Sequence, residues 1–378
     1  MRRAAASVTI VTILLLLTGC WDRLPLRDLQ MIDVIGIDQD EKEQGVTVDL
    51  IVTSLKGAGK GQGEPIAERT TLKGPSVIEA VGKTEYMDQG PFLAVNTRAF
   101  LMSESFASDK PVEEFKFLLH APYTSINTPV IVYAGKMVEL VNNKSSNRQA
   151  PIEKLHNFIK SLNSNGVINN ISMHEFISSA DEPLEDYPLP VVRYHESKFQ
   201  IEGAMLFHSG RYAGKQITNE QLRMLMFMLG VDQGRQRITG SVSDSKSGLQ
   251  DITYGFSVKN VRRSVHTQKG TDRLPMVTIR VRLNINVFDI GDNIDTLKPN
   301  YAVVMEKLLG KQFEQEAAGM IRTAQQANCD VLGIGKHIKA FHPKLWKSLD
   351  WRKDYPNITI APKFDIQILN TDGFEQFQ

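Results

Sequence analysis

The sequence predicts an α+β protein of more than one domain, with mixed or antiparallel sheets each packed against amphipathic helices. Three observations carry this. Val277, Ile279, Val281, Leu283, Ile285 and Val287 alternate with Thr278, Arg280, Arg282, Asn284 and Asn286, the period of a strand with one face buried and one wet. A long amphipathic helical pattern over 301–328 follows, broken weakly by Gly310 and Gly319, and a further strand pattern closes at 358–369. Near the start, Val46, Val48, Leu50 and Val52 alternate with polar residues beside an apolar run at 31–38, the mark of paired strands. Strands on both sides of a long helix suggest layers, with the helix covering one sheet face.

The first element is not part of that body. Arg2 and Arg3 precede an apolar run that ends in Leu17-Thr18-Gly19-Cys20. A basic n-region, a short h-region and small residues before a cysteine form a lipoprotein signal peptide; a spanning helix needs roughly 18 or more apolar residues. The pattern predicts cleavage of residues 1–19 at the lipobox Leu17, Thr18, Gly19. Cys20 then carries a diacylglyceryl group, and its new amine is open to acylation. Two acyl chains suffice for stable anchoring, at about 0.8 kcal/mol per buried methylene. Beyond this point no segment is long and apolar enough to cross a membrane.

With 378 residues and 42% apolar residues the chain can bury two cores or more. Its 44 basic and 43 acidic residues nearly cancel, without the clustered basic excess of a nucleic-acid binder. The two cysteines are Cys20 and Cys329; with Cys20 acylated no internal disulfide forms, and Cys329 reads as a small buried hydrophobe.

Further along, residues 57–63 are glycine-rich but lack Walker spacing, and read as a loop. Helical spacing marks 75–86, strands are expected at 93–103 and 129–134, and Ser108-Asp109-Lys110-Pro111 opens a helix. Residues 142–149 read as a polar linker, and Ile152, Leu155, Ile159 and Leu162 mark a helix from Pro151. Pro183, Pro188 and Pro190 among four acids mark the domain boundary. The expected organisation is an N-terminal α+β region at 20–182 of one or two subdomains, a proline-rich linker at 183–196, and a C-terminal α+β domain at 197–378. Within the last, a hairpin is expected at 199–207 with its turn at Ser209-Gly210. Thr218-Asn219-Glu220-Gln221 is a capping box for a helix that Gly230 ends, with Met224, Met226 and Met228 as core filler. Residues 239–248 read as a loop.

Chemistry-bearing patterns are weak. His337 and His342 lack metal spacing, His174-Glu175 and His195-Glu196 stand alone, and no Gly-x-Ser-x-Gly elbow occurs. Leu332-Gly333-Ile334-Gly335-Lys336-His337 lacks Walker spacing and reads as a helix terminus running into a turn. Arg280 and Arg282 read as ordinary sheet-face charges, with a partner surface as the other reading. The sequence predicts no metal, no cofactor and no catalysis.

Cys20-Trp21-Asp22-Arg23, Asp28 and Val34-Ile35-Gly36-Ile37-Asp38 resemble the opening of the spore germination receptor C-subunit family, the Ger(x)C lipoproteins. The resemblance continues at Arg98-Ala99-Phe100-Leu101-Met102-Ser103-Glu104, at Gly203-Ala204-Met205-Leu206-Phe207 with Gly214, and at the helix from Thr218. It closes at Asp330-Val331-Leu332-Gly333-Ile334-Gly335 with Trp346 and Trp351. It implies a multi-domain α+β body and a non-enzymatic subunit of a nutrient germinant receptor. The partners implied are an A-type and a B-type integral membrane subunit, and the place is the outer face of the spore inner membrane. Lipidation carries over to Cys20; no nutrient-contacting residue does. The alternative is a solute-binding lipoprotein of a transporter, which calls for two α/β lobes around a cleft.

Overall fold

The computed structural model describes residues 29–40, 45–56, 64–87, 92–109, 111–120, 124–140, 150–232, 234, 236–244, 249–270, 273–289 and 301–369. Cys20 and its lipobox, the glycine-rich loop at 57–63 and the polar linker at 142–149 lie outside them.

The N-terminal sheet has nine strands: β1 (Gln30–Asp40), β2 (Gly45–Lys56), β3 (Glu64–Gly74), β4 (Phe92–Leu93), β5 (Ala99–Ser103), β6 (Val130–Tyr133), β7 (Asp186–His195), β8 (Lys198–His208) and β9 (Arg211–Ile217). Their order is β3-β2-β1-β5-β6-β7-β8-β9, with β4 beside the start of β1. The centre is parallel, β1-β5-β6-β7, and both flanks are antiparallel. Parallel strands need both faces covered, and β5 and β6 are buried at every position. One face packs on the short helices α1 (Val77–Gly82), α2 (Glu104–Ser108), α3 (Pro111–Phe115) and, beyond α4 (Ala150–Ser164), α5 (Met173–Ser178), through Val77, Phe106, Phe115 and Phe176. The other packs on α4 (Ala150–Ser164) through Ile152, Leu155 and Ile159.

The strand expected at 93–103 is broken in two. After β4 the chain turns away, and Arg98 N–H returns to donate to Asp33 O at 2.7 Å before β5 pairs further along β1. Buried Thr97 and Thr128 hold the detour, donating to Ile32 O and Thr97 O.

The expected linker at 183–196 is also corrected: most of it is β7. Over Asp186–Pro190 that strand pairs with β8 alone, and its pairs with β6 are at Val191 and Val192. Pro188 and Pro190, two apart, leave their missing N–H groups on one side of an edge-like stretch, where proline is tolerated. The sheet therefore crosses the expected boundary and takes in the hairpin β8–β9.

The second sheet, β10 (Arg237–Asp244), β11 (Leu249–Lys269), β12 (Pro275–Asp289) and β13 (Thr359–Ile368), runs in that order, antiparallel except for the parallel pair β12–β13. Residues 239–248 thus contain most of β10 rather than a loop: Ile238 and Val242, four apart, reach the core while Thr239 and Ser241 face out. The connection from β12 to β13 carries α7 (Tyr301–Gln326), α8 (Ile334–Phe341), α9 (Pro343–Trp346) and α10 (Trp351–Asp354).

As the alternation predicts, Val277, Ile279, Val281, Leu283 and Ile285 are wholly buried, under α7 and α6 (Asn219–Leu229). Phe313 of α7 packs at 5.8–6.2 Å from Phe227, Phe256 and Phe364. The glycine at 310 has a reason here: a Cβ there would stand 3.1 Å from Phe364 O, so α7 lies directly against β13.

The capping box of α6 is formed. Gln221 N–H donates to Thr218 Oγ1 at 3.3 Å and Thr218 N–H to Gln221 Oε1 at 3.2 Å, and Gly230 ends the helix at φ +74°. Thr218→Ala is expected to cost about 1 kcal/mol of unfolding free energy, read by urea denaturation.

Candidate functional site at the joint between the sheets

The two bodies meet at β8. Met205 and Phe207 face the core of the first sheet, while Ala204 and Leu206 belong to that of the second. At the end of this wall sits a buried polar cluster, drawn from the start of β7, the end of β8 and residues 328–355.

Asp186 heads β7 with its carboxylate fully buried. Arg352 of α10 grips it as a fork, Nη1 donating to Oδ2 at 2.7 Å and Nη2 to Oδ1 at 2.8 Å. His208 Nδ1 lies 3.2 Å from Oδ1, and Asp330 N–H donates to Oδ2 at 2.5 Å. Arg352 also donates to the carbonyls of Asn328 and Pro183. Burial pushes the Asp186 carboxyl up, but the His208 hydrogen bond and the Arg352 pair outweigh it and hold it below the ordinary range. Each partner except His208 comes from the far side of the joint or lies beside it, so this one carboxylate ties β7 and β8 to the C-terminal helices.

Asp330 is buried for another purpose. Its oxygens accept from Ile334 N–H at 2.9 Å and Gly335 N–H at 2.7 Å, filling the first turn of α8. Gly333 takes φ +68° to make that turn, and a Cβ on Gly335 would fall 2.6 Å from the Trp351 ring. Asp330-Val331-Leu332-Gly333-Ile334-Gly335 is thus a turn that starts α8 against Trp351, where the sequence alone suggested a helix running out. Burial lifts the Asp330 carboxyl to about 7, against the pull of the Gly335 and Ile334 amides and with help from Asp186.

The pH consequence has a definite sign. Between the ordinary 3.8 and about 7 the folded state holds a proton that the unfolded state has released, so stability falls as pH rises across that window. Asp186 acts oppositely, stabilising above its ordinary range and losing that contribution on acidification. In Asp330→Asn the first effect is removed, so stability measured by denaturation should fall less than in the parent from about pH 5 to about pH 7.5.

Cys329 is buried, as expected from the sequence. Its thiol donates to Phe207 O at 3.3 Å, and burial pushes it well up, away from reactive thiolate. Tyr355 O–H donates to Cys329 O at 3.2 Å. The acids and the thiol of the cluster are thus engaged in backbone or ion-pair contacts.

Two hollows flank the joint. One, of about 350 Å³, lies between Val112, Lys116 and Ala180 on one side and His208, Gly210 and Tyr212 on the other. The pair Arg211–Glu113 at 2.9 Å stands at its wall, with Lys116–Asp181 at 3.7 Å. The smaller, of about 170 Å³, is lined by Asp186, Tyr187, Asp330 and Lys336.

The remaining sequence candidates lie elsewhere. Arg282 pairs with Asp365 at 2.9 Å on the wet face of the second sheet, where Arg280 stands opposite Lys363. The His337 and His342 rings are 6.1 Å apart, and among the described residues no group of histidines, cysteines and acids is placed to hold a metal. Asp186 and Arg352 were missed. Asp186 was legible only as one acid of a proline-rich stretch, and its partner lies 166 residues away.

Comparison with known proteins places this architecture. Residues 22–194 match the spore germination protein N-terminal domain, and residues 202–372 the C-terminal domain described as spore germination B3/GerAC like. Spore germination protein GerQC of Bacillus cereus is 20% identical over 93% of this chain and 94% of its own length. Spore germination protein B3 of Bacillus subtilis (strain 168) is 19% identical over 98% of each. The crystal structure of the GerBC protein superposes with a TM-score of 0.58 at 11% identity, covering 89% of this chain and 97% of that one. Fold, length and both domain matches agree: the chain belongs to the C-subunit family of spore germinant receptors.

Proposed function

We propose that the chain is a lipid-anchored, non-enzymatic subunit of a nutrient germinant receptor. Cys20 holds it on the outer face of the spore inner membrane, where it works with A-type and B-type integral membrane subunits in receptor assembly and signalling. The observation that carries the anchor is the lipobox Leu17-Thr18-Gly19-Cys20, ten residues ahead of β1. Among the described residues no helix is long and apolar enough to cross a membrane, so a tether at Cys20 gives the body its membrane address. A joint whose thiol and carboxylates are committed to holding two sheets together supports a role through protein contacts rather than catalysis. The transporter alternative finds no support in the fold, because a nine-stranded and a four-stranded sheet are not two matching lobes around a cleft.

Cys20→Ala tests the tether. The expected result is loss of the protein from the spore membrane fraction and a weakened response to nutrients, with receptor-independent germination intact. A soluble variant with an unchanged nutrient response would refute the tether's role.

A further inference from the structure

Residues 334–347 form a basic, aromatic-tipped ridge. The inner face of α8 is fixed by buried Ile334, Gly335 and Ile338, and α9 follows at once. Lys336, Lys339, Lys344 and Lys347 are all exposed, and Phe341, between them in the chain, has 71% of its surface in solvent.

The acids nearby are already matched: Glu185 with Lys336 at 2.5 Å, Asp350 with Lys353 at 2.6 Å, Asp354 with Arg273 at 2.6 Å. Lys339, Lys344 and Lys347 have no acidic partner among the described residues. Burial, and then the neighbouring His342, Arg263 and His266, hold His337 below its ordinary range. A large exposed phenylalanine in a short helical stretch with three unmatched lysines has the chemistry of an interfacial membrane contact.

Topology places this ridge at the end of the body where the tether begins. β1, β5, β6 and β7 are parallel, so their first residues lie along one edge of the sheet. Stepping the register across β5 and β6 sets Gln30 level with the start of β7, where Glu185 meets Lys336 of α8. Three strand spacings separate β1 from β7, about 14 Å. The ten residues from Cys20 to Gln30 reach at most about 35 Å.

The geometry points to α8–α9 as a docking face for an anionic lipid surface, with Lys339, Lys344 and Lys347 meeting headgroups and Phe341 entering the interface. The inference uses the proposed membrane address for its placement, but its test does not depend on acylation. The probe is the chain from residue 20 onward with Cys20→Ala, which keeps every described residue. Its sedimentation with phosphatidylcholine vesicles is compared with that on vesicles containing about 30 mol% phosphatidylglycerol.

The parent is expected to bind the anionic vesicles preferentially, and less as salt rises. Replacing Lys339, Lys344 and Lys347 together by glutamine should weaken binding on the order of 100-fold, near fivefold per lysine. Phe341→Ser should weaken it about tenfold and leave its salt dependence unchanged. All four positions are exposed, so thermal melts should match the parent. Equal binding to both vesicles, or unchanged binding by the triple variant, overturns the proposal. So does loss of binding on reversing Arg280 and Arg282 instead, which would move the contact to the wet sheet face. A triple variant that keeps vesicle binding but no longer co-purifies with an integral membrane subunit would make the ridge a protein contact and equally overturn it. Failure of Cys20 acylation alone would leave every vesicle result unchanged.

Discussion

Asp186→Ala is expected to cost at least about 3 kcal/mol of unfolding free energy, the range for breaking a buried ion pair from one side. The variant leaves the Arg352 guanidinium without its carboxylate, and strands the Asp330 amide and His208, which the same carboxylate engages. Trp346 and Trp351, with rings 5.7 Å apart beside the joint, offer a fluorescence signal for urea denaturation. The double variant Asp186→Leu with Arg352→Met should recover much of the loss, because the stranded charge is gone. A loss below about 1 kcal/mol in the single variant would show that the fork is not what ties the sheets.

Gly203→Ala should be comparably severe, about 3 kcal/mol or more. Gly203 sits in β8 at φ +114°, a conformation that side chains rarely adopt. A Cβ there would lie 2.0 Å from Ile217 O, on the strand that pairs with β8, so relief requires moving backbone. The position coincides with a shift of register between β7 and β8 at Val191 and Val192. Gly82→Ala is the matched control: nothing lies within 4 Å of its Cβ, and the residue ends a helix. It should be neutral or slightly stabilising. Equal melting temperatures for both variants would mean that β8 relaxes around an added methyl group.

Most elements that were legible in the sequence are those whose burial is one-sided, β6 being a short, fully buried exception. β12 shows its alternation because one face meets α7 and the other meets water, and α6 and α7 announce themselves by a capping box and a helical stripe. Elements that escaped are short, polar or paired at a distance. β3 and β10 are edge strands, β3 rich in charged residues and Thr and β10 in Ser, Thr and Gly, and most of β7 hides behind two prolines on its singly paired stretch. β11, the longest strand, mixes Arg262, Arg263, His266 and Lys269 into its outer half, which blurs its period.

The joint was illegible for a different reason. Its chemistry depends on Asp186 and Arg352 meeting across 166 residues, and neither sits in a local motif. Asp330 and the glycines after it did stand out as a family pattern, and the structure supplies the cause: a buried cap, a left-handed turn and a glycine pressed on Trp351. Cys20, the residue on which the proposed tether turns, is read from the sequence alone and lies outside the described residues.

The most direct test of that reading is co-purification. The tagged chain would be extracted from spore membranes in mild detergent, beside its Cys20→Ala variant, and the associated integral membrane proteins identified. The expected result is a complex containing one A-type and one B-type receptor subunit, recovered with an acylated chain and depleted with the variant. Recovery of the chain alone, or with a transporter permease, would contradict the assignment to a germinant receptor complex.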